Sequence, residues 1–282
     1  MRPIELERYE ADVVNYSSGS DLKYGNYILA APIDKGPELY AYAKVRRGPI
    51  LNVVFHGAVR PNADTYPRFD RVGSLGGGGT SLISFADPTL MISEDIDLGW
   101  YLGNSVWDPL DTIVDVIRSV IRVSGAVEVN LVGGSGGGFA ALRVGAALDD
   151  CLVFVFNPQT VIANYTRKVV DKYFAAAFPD VEQEEQLRVE AARFDMRLPY
   201  SDGVGSRRVY YLQHLGDGSH VVGHYRPFKR RLGVTSVDGC DENGLVKHVL
   251  VDSERDGHGP PLPKDFEWHF EQAKLWCWGS SR

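Results

Sequence analysis

An α/β fold built on a mostly parallel, eight-stranded sheet flanked by helices, with a helical insertion, is what the sequence predicts, and three observations predict it. Eight short runs rich in β-branched and aromatic residues are spread along the chain, several of them apolar throughout, as strands covered on both faces are. Helical patterns fall between the later runs, and strand alternating with helix implies parallel pairing through crossovers. At 282 residues and 44% hydrophobic content, the chain can bury one large core.

The first four runs, Tyr24–Ala30, Leu39–Val45, Ile50–Phe55 and Thr80–Phe85, have no helices between them, which predicts an antiparallel hairpin at one edge. Asp108 then caps a helical pattern over Pro109–Val123. Strand Val127–Val132, helix Gly137–Leu148 and strand Leu152–Phe156 follow. Residues 157–200 are longer than an ordinary crossover and carry Lys, Glu and Arg throughout, so 160–198 is read as a helical lid inserted in a single domain spanning 1–282. Tyr165, Val169, Val170, Tyr173, Phe174, Phe178, Leu187 and Phe194 give that segment enough apolar groups for one face but not for an independent core, and its aromatic residues are expected to line an acyl pocket. Strand Arg208–Gln213, helix Arg226–Leu232, strand Val246–Val251 and helix Asp265–Trp276 complete the pattern.

The formal net charge of -7 argues against a nucleic-acid partner, which needs a clustered basic surface, and Lys229-Arg230-Arg231 reads as a solvated helix face. Cys151, Cys240 and Cys277 are too scattered for a disulfide framework, and no two have metal-ligand spacing, which fits a reducing compartment. MRPIELERYEADVV lacks the apolar centre of a leader, and no apolar stretch approaches the roughly 18 residues that span a bilayer. The expectation is a soluble, cytoplasmic protein.

Chemistry concentrates in VNLVGGSGGGFAAL, residues 129–142. A flexible Gly/Ser tether would not sit between a strand and a helix with such short margins. Gly133-Gly134-Ser135-Gly136-Gly137 satisfies G-x-S-x-G, the pattern of a sharp strand-to-helix turn that strains the serine backbone and leaves no room for side chains two positions away. Phe139 stands where a Walker loop needs G-K-[ST], and it also breaks G-x-G-x-x-G counted from Gly134; a G-x-G-x-x-A variant from Gly136 falls inside the helix.

Two contexts strengthen the serine. The strand Ile50–Phe55 ends in His56-Gly57-Ala58, and a nucleophile-elbow architecture takes one oxyanion donor from the loop after its third strand; the other is the N–H of Gly136. Chain order in that architecture is serine, acid, histidine. The loop after Arg208–Gln213 offers Asp217, with Asp202 and Asp256 as rivals, and the loop after Val246–Val251 offers His258, with His220 and His224 as rivals.

On His56-Gly57, the Gly133–Gly137 elbow, Asp217 and His258, in that order, the chain resembles the α/β-hydrolase superfamily from about residue 22 to 277. FADPTL, DLGWYLGN, FVFNPQT and DGSHVVGHYRPF are similar to segments of hydrolase-like proteins found with bacterial surface polysaccharide production and accessory secretion. The resemblance implies a serine hydrolase in which Ser135 attacks an acyl carbonyl, His258 moves the proton, Asp217 fixes the imidazole, and Gly136 with Ala58 or Gly57 stabilises the oxyanion. No cofactor or metal is expected: His214, His220, His224, His248 and His269 name no ligand set, and the His220/His224 spacing lacks the glutamate of H-E-x-x-H. An esterase acting on a small-molecule or glycan ester leads; an acyltransferase on the same residues and a non-catalytic binding protein are the alternatives.

Overall fold

The computed structural model describes residues 2–20, 22–60, 65–201, 205–236, 238–252 and 257–279. Ten strands form one sheet: β1 (Val13–Asn15), β2 (Gly25–Pro32), β3 (Glu38–Val45), β4 (Ile50–Phe55), β5 (Ser81–Phe85), β6 (Glu128–Gly134), β7 (Cys151–Phe156), β8 (Arg208–His214), β9 (Gly239–Cys240) and β10 (Val246–Val251). Their order is β1-β2-β3-β5-β4-β6-β7-β8-β10-β9. The run from β5 through β4, β6, β7 and β8 to β10 is parallel, while β3 pairs antiparallel with both β2 and β5. The eight expected strands are all present. The two additional ones, β1 and β9, are the outermost and carry only three and two residues, too short to show a hydrophobic period.

The central strands are buried on both faces because neighbouring residues point opposite ways. Val53, Leu131 and Val153 share a core cluster with residues of helices Leu110–Ser124 and Ser135–Ala146, and Tyr211 on the same face packs on Tyr225 and Phe228. Val54, Val132, Phe154 and Tyr210 pack toward Phe266, Phe270 and Ala273 of helix Pro263–Trp278. Asp108 accepts the Leu110 N–H at 2.9 Å at the start of the first of these helices.

The segment 160–198, read as a helical lid, contains short helices, Arg167–Ala177, Gln183–Val189 and Ala191–Phe194, and runs into a further one, Arg197–Ser201. Pro179 explains the first break: Phe178 before it leaves helical geometry at φ -136°, ψ 56°. Tyr173, Phe174, Phe178 and Phe194 pack on one another edge-to-face or tilted, with centroids 5.2–5.9 Å apart, and belong to the main core. Among the described residues no helix is long and apolar enough to cross a membrane.

Candidate active site

β6 runs into helix Ser135–Ala146 without an intervening residue. Ser135 therefore turns the corner itself, at φ 54°, a left-handed conformation that costs a non-glycine residue about 1–3 kcal/mol. Sterics around it exclude side chains. A Cβ on Gly133 would lie 2.1 Å from the Gly137 carbonyl oxygen, and one on Gly137 would lie 2.2 Å from the Phe55 oxygen and 2.8 Å from the His56 carbonyl carbon. Both obstacles are backbone and cannot rotate away. The helix thus begins two residues earlier than the sequence pattern suggested, because the glycines that look like a flexible loop are its first turn.

The loops after β8 and β10 come to the same rim. His258 Nε2 lies 2.8 Å from Ser135 Oγ, and His258 Nδ1 lies 2.6 Å from Asp217 Oδ2. An ionised carboxylate only accepts, so Nδ1 carries the proton and Nε2 receives the serine hydroxyl. Asp217 is buried, and burial would raise its pKa; hydrogen bonds from His220 and His258, with their charges, outweigh burial and hold the carboxyl well below the usual carboxylate range.

Neither rival histidine reaches Ser135 Oγ. His220 Nδ1 takes the other oxygen of Asp217 at 3.1 Å, and its ring stacks on His258 with centroids 4.0 Å apart and planes 11° apart. Burial lowers its pKa, against the hydrogen bond to Asp217 that raises it. His224 Nδ1 accepts the Thr160 N–H at 3.2 Å and its ring is pushed down to about 3 by burial. Asp202 and Asp256 lie outside the described residues. Asp217, His220 and His258 are also close enough together to hold a cation. Nearly parallel rings share no point that lies in both planes, however, so the arrangement suits two N–H donors on one carboxylate better than a common ion.

His56 differs from its expected place among the oxyanion donors. Its Nδ1–H donates to the Gly57 carbonyl at 2.7 Å, its Nε2 accepts the Asp87 N–H at 3.0 Å, and its backbone N–H donates to the Tyr101 hydroxyl at 3.0 Å. Burial lowers its pKa and keeps it neutral. His56 has no donor left for a substrate; it shapes the loop. Gly57 remains beside the elbow: a Cβ built on it would lie 3.5 Å from Ser135 Cβ and 4.0 Å from the Gly136 nitrogen. Gly57 and Ala58 line one cavity with Ser135 and His258.

Two further residues act on the site from the loop after β7. Gln159, fully buried, donates from Nε2 to Ser135 Oγ at 3.0 Å, and its amide is oriented by Trp100 Nε1–H donating to Oε1 at 2.5 Å. Asn157 donates to the Gly259 carbonyl at 2.8 Å and accepts the His214 N–H at 2.8 Å, tying the His258 loop to β8. Asn157 and Gln159 are polar residues of FVFNPQT, and Trp100 is the tryptophan of DLGWYLGN. Their signal was position, a polar N-P-Q-T directly after an all-apolar strand whose end meets the elbow's rim.

The cavity above Ser135 has a volume of about 420 Å³, with Phe156 and Pro260 in its wall. Of the insertion's aromatic residues, Tyr165 lines it; Tyr173, Phe174, Phe178 and Phe194 lie in the core instead, so the aromatic acyl lining expected from that segment reduces to one ring.

No protein-family model matches this sequence, and no curated protein matches it. Solved structures do. The capsule O-acetyltransferase of Neisseria meningitidis serogroup A aligns with a TM-score of 0.60 at 14% identity, over 85% of this chain and 91% of that one. The acetyl xylan esterase from Paenibacillus sp. R4 aligns with a TM-score of 0.58 at 15% identity, over 92% and 86%. A chain of the Glycosylation Associate Protein (Gap123) complex from Streptococcus agalactiae aligns at 0.62 and 14% identity, over 84% of this chain but 44% of that one. At such identities the likeness is one of fold. Taken with the parallel sheet and the strand–serine–helix corner at its C-terminal rim, it gives this chain an α/β-hydrolase-like fold.

Proposed function

We propose that this protein is a serine acyl hydrolase that cleaves an ester through an acyl-enzyme. The observation that carries the reading is the Ser135–His258–Asp217 relay, at 2.8 and 2.6 Å, opening into a cavity beside two glycine-bearing loops. Ser135 Oγ bonds to the ester carbonyl carbon while its proton passes to His258 Nε2; the carbonyl oxygen takes the negative charge. The N–H groups of Gly136 and of Ala58 or Gly57 face that oxygen, and each such donor lowers a barrier by about 2.7–4 kcal/mol. His258 then gives its proton to the departing alcohol oxygen as the carbon–oxygen bond breaks. Water, giving a proton to His258, attacks the acyl carbon; as the carbon–Oγ bond breaks, His258 returns that proton to Ser135 Oγ and the acid is released. Asp217 keeps the Nδ1–H tautomer and offsets the imidazolium charge. Residues 160–198 serve as the cap over this cleft, with Tyr165 as their part of its wall.

A second reading, acyl transfer to a sugar hydroxyl, is favoured by one feature. The cavity abuts a second groove of about 700 Å³ across Arg71 and Pro260, room for an acceptor next to the acyl-serine. p-Nitrophenyl esters of increasing chain length, with and without a sugar acceptor, separate the two: hydrolysis releases free acid throughout, whereas transfer yields an acylated sugar and accelerates with acceptor. A fluorophosphonate probe should label Ser135 in the wild type and nothing in Ser135→Ala. Folded wild type that neither reacts with the probe nor cleaves any ester refutes both.

A further inference from the structure

Arg71 is a cation in the wall of the cavity that holds the nucleophile. It sits at φ 57° just before the short helix Val72–Leu75, and it borders both the Ser135 cavity and the neighbouring groove. Its guanidinium carbon lies 3.4 Å over the centre of the Phe266 ring and 5.5 Å from that of Phe156. Among the described residues the Arg71 guanidinium makes no hydrogen bond or ion pair; its carbonyl accepts the Leu75 N–H at 3.0 Å. The carboxylate that acts on it through space, Asp70, is engaged by Arg68 through both oxygens, at 2.8 and 3.3 Å.

Stacking occupies the face of a guanidinium, while its five N–H donors radiate in the plane of the group. A guanidinium clamped flat on an aromatic ring is held in one orientation with its edge still available. Carboxylate and phosphate are the groups that satisfy such an edge, through two parallel hydrogen bonds.

We propose that Arg71 forms an anion-binding subsite, so that the molecule entering this cleft carries a carboxylate or a phosphate as well as the reacting ester. The proposal deepens the ester reading, on which it rests for the identity of the cleft as the substrate site. On a chain of net charge -7, an acidic ligand is repelled by the surface at large and must be attracted locally, which gives an unpaired cation at the mouth of the site its selectivity.

Ser135→Ala protein, titrated at low ionic strength with glucuronate, glucose 6-phosphate and glucose, reads this subsite whether or not the wild type cleaves esters. One of the two anions should bind about tenfold more tightly than glucose, and its affinity should fall as salt is added. The stronger anion tells carboxylate from phosphate. Adding Arg71→Met, which keeps a flat apolar contact on Phe266, should abolish the preference, and Arg71→Lys, which keeps the charge without the fork, should retain part of it. Melting curves identify any variant that has not folded, and the salt dependence of the Arg71 protein then decides. Equal binding of anions and glucose, no binding of either anion, or an undiminished preference in Arg71→Met overturns the proposal. A folded wild type that neither reacts with the fluorophosphonate probe nor cleaves any ester, neutral or anionic, while anion binding is intact, instead overturns the catalytic reading.

Discussion

Around Ser135 the restraint is backbone: β6 ends, the helix begins, and the carbonyls of Phe55 and Gly137 close on positions 137 and 133 at 2.2 and 2.1 Å from any added Cβ. Around His258 the restraint is side chain. Asp217 holds the ring, His220 holds Asp217 from the other oxygen and covers the ring face, and Asn157 ties down the following carbonyl. The side chain of His258 is 32% exposed, against 1% for Asp217. A serine fixed by sterics has one position, whereas an imidazole fixed by partners can be loosened one partner at a time. Substitutions of the elbow backbone should therefore act all-or-none, whereas loss of a supporting side chain should cost less at Ser135 Oγ than at the imidazole.

The largest expected effects remove the relay itself. Ser135→Ala and Asp217→Asn should each lower ester turnover by about 10⁴-fold, the second by offering the ring an amide that no longer selects the Nδ1–H tautomer. An Asp217→Asn protein with near wild-type turnover would mean that another acid holds His258. Next comes Gly137→Ala, which forces backbone apart at the strand bearing the His56 loop. It should cost about 3 kcal/mol or more, seen as a large fall in the unfolding midpoint together with lost activity; a stable, active variant would show that the elbow is not rigid.

The graded steps are smaller. His220→Phe keeps a ring against His258 and removes the hydrogen bond to the carboxylate, for an expected loss of about tenfold in kcat. Gln159→Leu removes a neutral donor from Ser135 Oγ, for about fivefold, with KM unchanged if its role is to position the hydroxyl. Should Gln159→Leu prove more damaging than His220→Phe, the contrast between the two sides fails.

The gentlest test is pH. The elbow holds no titratable group, whereas His224 and the fully buried His248 are both held down to about 3 by burial. An unfolded histidine titrates near 6.5, so below that pH the unfolded chain binds protons that the folded chain refuses. Stability present above about pH 6.5 is lost as pH falls toward 3, by up to about 1.4 kcal/mol per pH unit for each ring. Asp217, with its depressed pKa, adds loss only below about pH 4. Melting temperatures should thus decline from near neutrality downward, and His248→Leu should flatten the upper part of that decline; a curve level down to pH 4.5 would show that these rings are not buried neutral.

Much of the architecture was legible because burial writes itself into sequence. All-apolar runs such as Leu152–Phe156 read as strands covered on both faces, and the glycines flanking Ser135 mark a corner that tolerates no Cβ. The order His56, Ser135, Asp217, His258 followed from each lying just after a strand, since parallel strands end at one rim. β1 and β9 were not legible: edge strands of two or three residues bury too little to carry a pattern.

Sequence by itself determined which segments meet, because hydrophobic periodicity and chain order are one-dimensional properties. Only the tertiary structure decided what each polar side chain does there. His56 and His258 both come after parallel strands, yet one has both ring nitrogens taken by Gly57 and Asp87 while the other bridges Ser135 and Asp217. The role of a histidine, of Gln159 beneath Trp100, or of Arg71 on Phe266 is set by partners within about 3 Å that arrive from distant parts of the chain. No local pattern encodes such partners, because a hydrogen bond depends on distance and angle in space and not on separation along the sequence.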